Sequence, residues 1–115
     1  MFGWSATSLS SRVIDIARAV EHHQRLGFRT EYHDETYAFA HLGNLTVHLA
    51  HDEHPEQHMT SVLYMHVDDA DRLAADWRAA GATIDGPRNE DYGKREGQHV
   101  DPDGNLIRFG SPIPR

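Results

Sequence analysis

The chain has 115 residues, no cysteine, ten histidines and a formal net charge of −7 with the histidines neutral. The lack of cysteine excludes disulfides, thiol catalysis and zinc–thiolate sites, and the acidic balance argues against nucleic acid and anionic membranes as partners, because both require a basic surface. With no apolar run near the roughly 20 residues that span a bilayer and no signal-peptide pattern at the start, we expect one cytoplasmic domain over residues 1–115.

The first half of the chain predicts a strand, a helix and then three strands. Asp15 follows the apolar end of the first strand and suits the helix N-cap, where its carboxylate accepts hydrogen bonds from free backbone N–H groups. Gly27 suits the left-handed residue that ends a helix. The helix face expected to enter the core comprises Ile16, Ala19, Val20, His23 and Leu26. The strand-like runs that follow are 28–33, 36–42 and 45–51.

A polar linker, 52–60, leads to a second half that repeats the first. Three markers of the first helix recur 54 residues later, as Val67, Asp69 and Gly81. The second apolar helix face comprises Ala70, Leu73, Ala74, Trp77 and Ala80. The strand-like runs here are 62–67, 82–86, 95–100 and 105–110, with a longer loop at 86–94. Each half therefore reads βαβββ, with module 1 at about 7–51 and module 2 at about 61–110, and the predicted fold class is α+β.

Alternation along the strands sorts their side chains into two faces, since successive residues of a strand point to opposite sides. One face is aliphatic or aromatic and is expected to pack under the helices; it comprises Leu45, Val47, Leu49, Leu63, Met65, Val67, Ile107 and Phe109. The other face mixes polar, aromatic and charged groups: Thr46, His48, Tyr64, His66 and Arg108. Such a face is either solvated or lines a ligand cavity, and the pattern leaves both readings open.

With this repeat and these faces, the sequence resembles the vicinal oxygen chelate superfamily, which includes glyoxalase I, extradiol dioxygenases, and fosfomycin- and bleomycin-resistance proteins. The resemblance covers about 8–110 and rests on VIDIARAV…RLGF at 13–28, VDDADRLAADWRAAGA at 67–82 and DPDGNLIRFG at 101–110. YGKRE at 92–96, an aromatic-Gly pair before an Arg-Glu pair, resembles the corresponding segment of the bleomycin-resistance branch. The resemblance implies two modules that curl into a half-open, barrel-like sheet around a cavity, and two chains that complete each other's cavities in a homodimer.

In the enzymes of this superfamily, up to four side chains on the concave face hold a divalent metal. The matching positions here are Ser8, His48, Val62 and Arg108. Valine cannot ligate, arginine stays protonated and repels a cation, and serine is a poor ligand unassisted. A single histidine does not make a site for metals that take three or more protein ligands. We therefore expect no metal, no other cofactor and no catalytic residue.

Other histidines have simpler interpretations. His23 is expected to pack inward as an imperfect aromatic substitute. The linker histidines His51, His54 and His58 are expected to be solvated, although their H-x2-H-x3-H spacing is able to pick up nickel or zinc adventitiously.

The resemblance to bleomycin-resistance proteins implies a small-molecule binder that sequesters a bulky, cationic aromatic antibiotic in cavities at a dimer interface. The residues expected to contact the ligand are Tyr37, Phe39, His48, Tyr64, His66, Tyr92, Glu96 and Arg108. Tyr64, His66 and Tyr92 match the positions where family members stack flat ligand groups, and Tyr37 and Phe39 add a wall.

The charged members of this set admit more than one role. Glu96 either meets a cationic group of the ligand or pairs with Arg95. Arg108 would place a positive charge in the cavity, suited to a carboxylate, phosphate or carbonyl group. Two other functions also stay open: a metal-dependent glyoxalase- or dioxygenase-like enzyme with a shifted metal site, and a metabolite-binding protein without a role in resistance.

Overall fold

The protein is described from a computed structural model, which covers residues 7–58 and 60–113, without the side chains of Thr7 and Ser8. The chain divides into two compact units, unit 1 ending at Ser61 and unit 2 beginning at Val62. Within these residues, each unit contains one α-helix and a four-stranded sheet. The predicted α+β class and the repeated order of elements are confirmed.

Unit 1 is built in the order β1 (Thr7–Val13), α1 (Ile16–Arg25), β2 (Arg29–Asp34), β3 (Tyr37–Leu42) and β4 (Leu45–His51). Its sheet has the strand order β1-β4-β3-β2, in which β1 runs parallel to β4 and the other pairs are antiparallel. The segment that follows β4 contains one short 3-10 turn, Pro55–Gln57.

Unit 2 repeats this arrangement with β5 (Val62–His66), α2 (Ala70–Ala79), β6 (Asp85–Asn89), β7 (Lys94–Val100) and β8 (Leu106–Pro112). Its strand order is β5-β8-β7-β6, with β5 parallel to β8. Among the described residues, no helix is long and apolar enough to cross a membrane.

The two helices begin and end as their sequences predict. The carboxylate of Asp15 accepts a hydrogen bond from the backbone N–H of Arg18 at 3.1 Å, and that of Asp69 accepts one from Arg72 at 3.0 Å. Each helix is followed by a glycine with positive φ, 94° at Gly27 and 96° at Gly81, a conformation that L side chains rarely adopt. These local signals fix the helix boundaries in both units.

Each helix buries its apolar face against its own sheet. In unit 1 the predicted face of α1 is buried throughout, including His23, which is only 2% exposed. The His23 ring stands edge-on to Phe28 with centroids 5.1 Å apart, and its Nδ1 lies 2.8 Å from the carbonyl oxygen of Ala19. Its predicted inward packing is confirmed. In unit 2 Trp77 is buried and lies edge-on to Phe109 at 5.7 Å.

The predicted strand at 82–86 and the long loop at 86–94 are wrong in their boundaries. The strand is β6, Asp85–Asn89, and only a tight turn separates it from β7. Residues 82–84 do not form a strand because Ala82 still caps the helix, its N–H bonding to the carbonyl of Trp77 at 2.9 Å. β6 lies at the edge of the sheet and is polar, so it lacks the apolar alternation by which strands are recognised.

Candidate functional site

Three strands of unit 2 bring chemically distinct side chains to one face of its sheet. Tyr64 on β5 lies opposite Arg108 on β8, and Arg108 lies opposite Gln98 on β7. Glu96 is two residues before Gln98 on the same strand and therefore shares this face. The apolar residues Ile107 and Phe109 on the same strand point to the other side and are buried. The alternation predicted for β8, with Arg108 away from the core, is observed.

The Glu96 carboxylate is the centre of this face and is 6% exposed. The Tyr64 hydroxyl donates a hydrogen bond to its Oε2 at 2.5 Å, and the Tyr92 hydroxyl donates to its Oε1. Arg108 Nη2 donates to the same Oε1 at 3.2 Å. We call Glu96, Tyr64, Tyr92 and Arg108 the Glu96 cluster. Its buried carboxylate thus has a partner on each oxygen, as a buried charge requires.

The hydrogen bonds of the Glu96 cluster shift the acidities of its members in opposite directions. The Tyr64 hydroxyl, with the Tyr92 hydroxyl and the charge of Arg108, holds the pKa of the Glu96 carboxyl below its ordinary value against the opposing effect of burial. Burial, the hydrogen bond to Glu96 and the negative charge of Glu96 together raise the pKa of Tyr64 to about 12. The hydrogen bond to Glu96 also raises the pKa of Tyr92. Near neutral pH the carboxylate is therefore charged and both phenols are protonated.

The alternative in which Glu96 pairs with Arg95 is wrong. Arg95 makes a two-pronged ion pair with Asp71, its Nε at 2.7 Å and its Nη2 at 3.0 Å from the two carboxylate oxygens. The reason is the pleat of β7, since successive residues of a strand point to opposite faces. Arg95 therefore faces helix α2, whereas Glu96 faces Tyr64 and Tyr92.

The Tyr64 side chain passes over the backbone of β8 at Gly110. A Cβ added at Gly110 would stand 2.0 Å from the Tyr64 hydroxyl oxygen and 3.1 Å from Cγ of Glu96. Any side chain at this position would therefore displace the Tyr64 ring. Gly110 is not among the site residues predicted from the sequence, although a glycine inside a strand often marks such a close approach. His66 follows on the same strand, with its ring centroid 4.9 Å from that of Tyr64.

Tyr92 combines high exposure with a fixed hydroxyl. It lies in the turn between β6 and β7, which is closed by the backbone hydrogen bond from Glu90 N–H to the Lys94 carbonyl at 2.8 Å. The residue is 60% exposed, yet its hydroxyl bonds to Glu96. The aromatic surface of Tyr92 is therefore available to a ligand while its far end is tethered to the sheet.

In unit 1 the corresponding face carries a group of rings. The rings of Tyr37 and Phe39 on β3 lie 5.5 Å apart, and that of His48 on β4 lies 5.0 Å from Phe39. His33 on β2 stands edge-on to both β3 rings, at 6.4 and 6.5 Å. Together His33, Tyr37, Phe39 and His48 line an open pocket of about 410 Å³, which we call the ring pocket. His33 was not among the predicted site residues, because β2 lacks the apolar alternation that assigns its faces.

Hydrogen bonds fix the imidazoles around the ring pocket. Nδ1 of His48 lies 2.9 Å from the Tyr37 hydroxyl. His41, whose ring stacks on Phe39 at 6.3 Å, has one nitrogen 2.9 Å from Thr46 Oγ1 and the other 2.8 Å from a Glu31 carboxylate oxygen. The predicted register of β4 is confirmed, since Leu45, Val47 and Leu49 are buried and His48 lies on the opposite face.

The four positions that correspond to metal ligands do not fit a divalent metal. Val62 has no donor atom and is 58% exposed. Arg108 is cationic and bonds to Glu96, and His48 bonds to Tyr37 through Nδ1. The side chain of Ser8 lies outside the described residues. Across 7–58 and 60–113 no group of three or more His, Asp or Glu side chains is arranged to hold a metal ion.

Comparison with known proteins identifies the family of this chain. The model of the Glyoxalase/Bleomycin resistance protein/Dioxygenase superfamily matches residues 7–109. A search of curated protein sequences found no significant match.

Among solved structures, a bleomycin resistance determinant encoded on the transposon Tn5 superposes with a TM-score of 0.81 at 19% identity, covering 93% of this chain and 97% of that chain. A bleomycin-binding protein from bleomycin-producing Streptomyces verticillus, complexed with copper(II)-bleomycin, gives 0.79 at 22% identity, covering 98% and 100%. TnmS3, an antibiotic binding protein from Streptomyces sp. CB03234, gives 0.77 at 23% identity, covering 98% and 99%. At these identities the likeness shows a common fold. Because the family model matches residues 7–109 of this chain, the chain belongs to the Glyoxalase/Bleomycin resistance protein/Dioxygenase superfamily.

Proposed function

We propose that the protein binds a bulky aromatic small molecule, an antibiotic of the bleomycin type, and acts by sequestering it rather than by transforming it. The observation that carries the proposal is the state of Tyr92, whose ring is largely exposed while its hydroxyl is held on the buried Glu96 carboxylate. An exposed aromatic ring on a fixed support is what stacking on a flat ligand requires.

The two tyrosines of the Glu96 cluster are preorganised for binding. Binding a ligand costs free energy for every side chain that must be immobilised, about 0.5–1.5 kcal/mol for a rotamer-rich one. In the Glu96 cluster this cost is reduced, because Tyr64 and Tyr92 are already hydrogen-bonded through their hydroxyls. His66, beside Tyr64, extends the aromatic surface along β5.

Unit 1 supports the same proposal with a second aromatic surface. The ring pocket, at about 410 Å³, falls within the roughly 300–1,000 Å³ of small-molecule sites. We propose that Tyr37, Phe39 and His48 also contact a bound ligand. In this proposal the chains form a homodimer, and the ligand lies in cavities at the dimer interface, as the resemblance to bleomycin-resistance proteins implies.

The proposed ligand recognition uses no metal ion. Arg108 stands where metal-dependent relatives carry a ligand, and its guanidinium bonds to Glu96, so its positive charge is balanced locally. The opposite charges of Glu96 and Arg108 therefore leave the Glu96 cluster polar but nearly neutral. Such a surface suits a ligand whose binding energy comes mainly from stacking, with hydrogen bonds fixing its orientation.

Three measurements on untagged protein test the proposal. Metal per chain is measured by inductively coupled plasma mass spectrometry. Intrinsic fluorescence is titrated with metal-free bleomycin and with copper(II)-bleomycin, and the oligomeric state is measured by size-exclusion chromatography with light scattering. We expect no stoichiometric metal, saturable quenching at micromolar drug and a dimer.

The outcomes separate the alternatives. One metal per chain that persists in a His54→Ala/His58→Ala variant would reject metal-independent binding and favour the metal-dependent alternative, because that variant removes the adventitious linker site. An absence of quenching at micromolar drug would reject the bleomycin-type ligand. A monomer that binds drug would reject the dimer interface while leaving drug binding intact.

A further inference from the structure

We infer that Glu96 is a positioning residue, which fixes the Tyr64 and Tyr92 rings as a pair and does not itself bind a cationic group of the ligand. The inference rests on the proposed function for its consequence in ligand binding. The claim that Glu96 holds both tyrosine rings does not depend on the proposed function. The inference identifies stacking on a flat group, rather than pairing with a cation, as the recognition at this face.

Most acceptor positions of the Glu96 carboxylate are already occupied. A carboxylate offers about four acceptor positions on its two oxygens. In Glu96 three are engaged, one on Oε2 by Tyr64 and two on Oε1 by Tyr92 and Arg108. The residue is also 6% exposed. A ligand cation would have to displace a tyrosine hydroxyl or the guanidinium, and it would meet the positive charge of Arg108 beside it.

These hydrogen bonds also restrict the motion of the two tyrosine rings. A tyrosine ring is attached at Cβ and carries its hydroxyl at the opposite end. When the hydroxyl is held, the ring is anchored at both ends of its long axis and only rotation about that axis remains. Tyr64 comes from β5 and Tyr92 from the β6–β7 turn, so a single side chain on β7 anchors rings from two other elements.

The backbone of β8 leaves space for this arrangement at Gly110. Gly110 has no side chain at the point where the Tyr64 hydroxyl passes, and a Cβ there would be 2.0 Å from the hydroxyl oxygen. The backbone of β8 thus leaves room for the Tyr64 hydroxyl, which donates to Oε2 of Glu96. Because the Tyr64 phenol closes access to the Glu96 carboxylate, this carboxylate is poorly placed to bind a ligand group.

The first test needs no ligand. Tyrosine ¹³Cζ shifts are followed through an alkaline titration in the wild type and in Glu96→Gln, with resonances assigned from Tyr64→Phe and Tyr92→Phe. In the wild type, Tyr64 is expected to ionise at about 12 rather than at the ordinary 10.0. Because Glu96→Gln removes the carboxylate but not the burial, the pKa of Tyr64 should fall part of the way toward 10.0, and that of Tyr92 should fall with it. Unchanged tyrosine titrations in the variant would overturn the inference.

The second test separates positioning from cation binding. The affinities of two probes, 2-(aminomethyl)naphthalene as the cation and 2-(hydroxymethyl)naphthalene as its neutral counterpart, are measured by isothermal titration calorimetry. We expect Glu96→Gln to weaken both probes by the same factor, about tenfold, which is the scale of a lost aromatic stacking contact. A loss confined to the amine would show that Glu96 binds the cation and would overturn the inference.

Two further variants keep the test decisive. Tyr92→Phe retains the ring but frees it from Glu96, and it should weaken both probes as Glu96→Gln does. Glu35→Gln removes the same charge from the exposed β2–β3 turn and should change neither probe nor either tyrosine. If neither probe nor bleomycin binds the wild type, the proposed function fails, whereas the tyrosine titration still decides whether Glu96 holds both rings.

Discussion

Tyr37 and Glu96 occupy the same position in the two units. Each hydrogen-bonds a residue on the adjacent strand that lies two positions before its direct cross-strand neighbour, His48 for Tyr37 and Arg108 for Glu96. The repeated fold therefore places a hydroxyl–imidazole pair in unit 1 where it places a carboxylate–guanidinium pair in unit 2. The ring pocket and the Glu96 cluster are two versions of one sheet face, and they differ in charge.

This equivalence extends to the first strand of each unit. Ser10 lies opposite His48 on the parallel strand pair of unit 1, as Tyr64 lies opposite Arg108 in unit 2. A small serine in unit 1 thus corresponds to the large phenol that reaches Glu96. Only unit 2 has a ring at this position, and mutations in unit 2 are therefore expected to affect binding differently from those in unit 1.

Truncating the tyrosines of the Glu96 cluster should weaken binding of bleomycin. Tyr92→Ala removes an exposed ring and Tyr64→Ala removes the ring over β8, and each is expected to cost about 1–3 kcal/mol of binding free energy if the ring is a stacking anchor. Fluorescence titration or calorimetry measures the effect. Tyr32→Ala is the matched control, because Tyr32 is similarly exposed, at 58%, but points away from the ring-bearing face of its sheet. Unchanged affinity in both cluster variants would reject these rings as ligand contacts.

Gly110→Ala should destabilise the protein and weaken the binding of bleomycin together. The new Cβ overlaps the Tyr64 hydroxyl, and relief of such overpacking typically costs about 1–3 kcal/mol of unfolding free energy. Urea denaturation measures the stability and calorimetry the affinity.

A double-mutant cycle assigns the cause of this loss. In a Tyr64→Ala background most of the clash is gone, so the added cost of Gly110→Ala should fall well below its cost in the wild type. Equal costs in the two backgrounds would mean that the strand itself, rather than Tyr64, requires glycine.

Arg95→Ala should have little effect on either stability or binding. Its ion pair with Asp71 lies on the surface, where such pairs contribute about 0–1 kcal/mol, and its side chain points away from Glu96. Arg108→Ala removes a donor from Glu96 instead, and it should alter the tyrosine titration described above. Denaturation and affinity measurements on the two variants provide the comparison. A larger loss of affinity in Arg95→Ala than in Arg108→Ala would contradict the observed pairing.

Local signals made much of this fold predictable. The helices are bounded by Asp15, Asp69 and two glycines, whose effects depend on a few neighbouring residues and are therefore visible in the sequence. The DPDGN turn is of the same kind, since the carboxylate of Asp101 accepts backbone hydrogen bonds from Asp103 at 2.9 Å and Asn105 at 2.8 Å. The face to which Arg108 belongs followed from the alternation around it.

The rest of the site depends on contacts between residues distant in sequence. Two adjacent charges, Arg95 and Glu96, do not reveal in sequence which one faces helix α2. Gly110 has its role only because a ring on β5, more than forty residues earlier, passes over it. The bounds of β6 are not predictable from the sequence, because an edge strand with exposed polar residues has no apolar period. These relationships are set by the sheet register, which local propensity does not encode.

The stabilisation that comes from Glu96 and its hydrogen bond with Tyr64 should be lost both in acid and in alkali. The folded-state pKa of Glu96 is lowered from its ordinary 4.5 by the Tyr64 and Tyr92 hydroxyls and Arg108, so its stabilisation is present above pH 4.5 and is lost as pH falls through the folded pKa. The pKa of Tyr64 is raised from 10.0 to about 12, so its stabilisation is present below pH 10.0 and is lost as pH rises through about 12.

The difference in unfolding free energy between the wild type and Glu96→Gln isolates this effect, since the other titrating groups are common to both proteins and largely cancel. Measured by urea denaturation, the difference should be flat between about pH 5 and 9, where Glu96 is ionised and the tyrosines are protonated. It should shrink below pH 4.5 as the carboxylate takes up a proton, and shrink again above pH 10 as the phenols are driven to ionise beside it. A difference that grows in acid would mean that the carboxylate is strained in the fold rather than stabilised by its three donors.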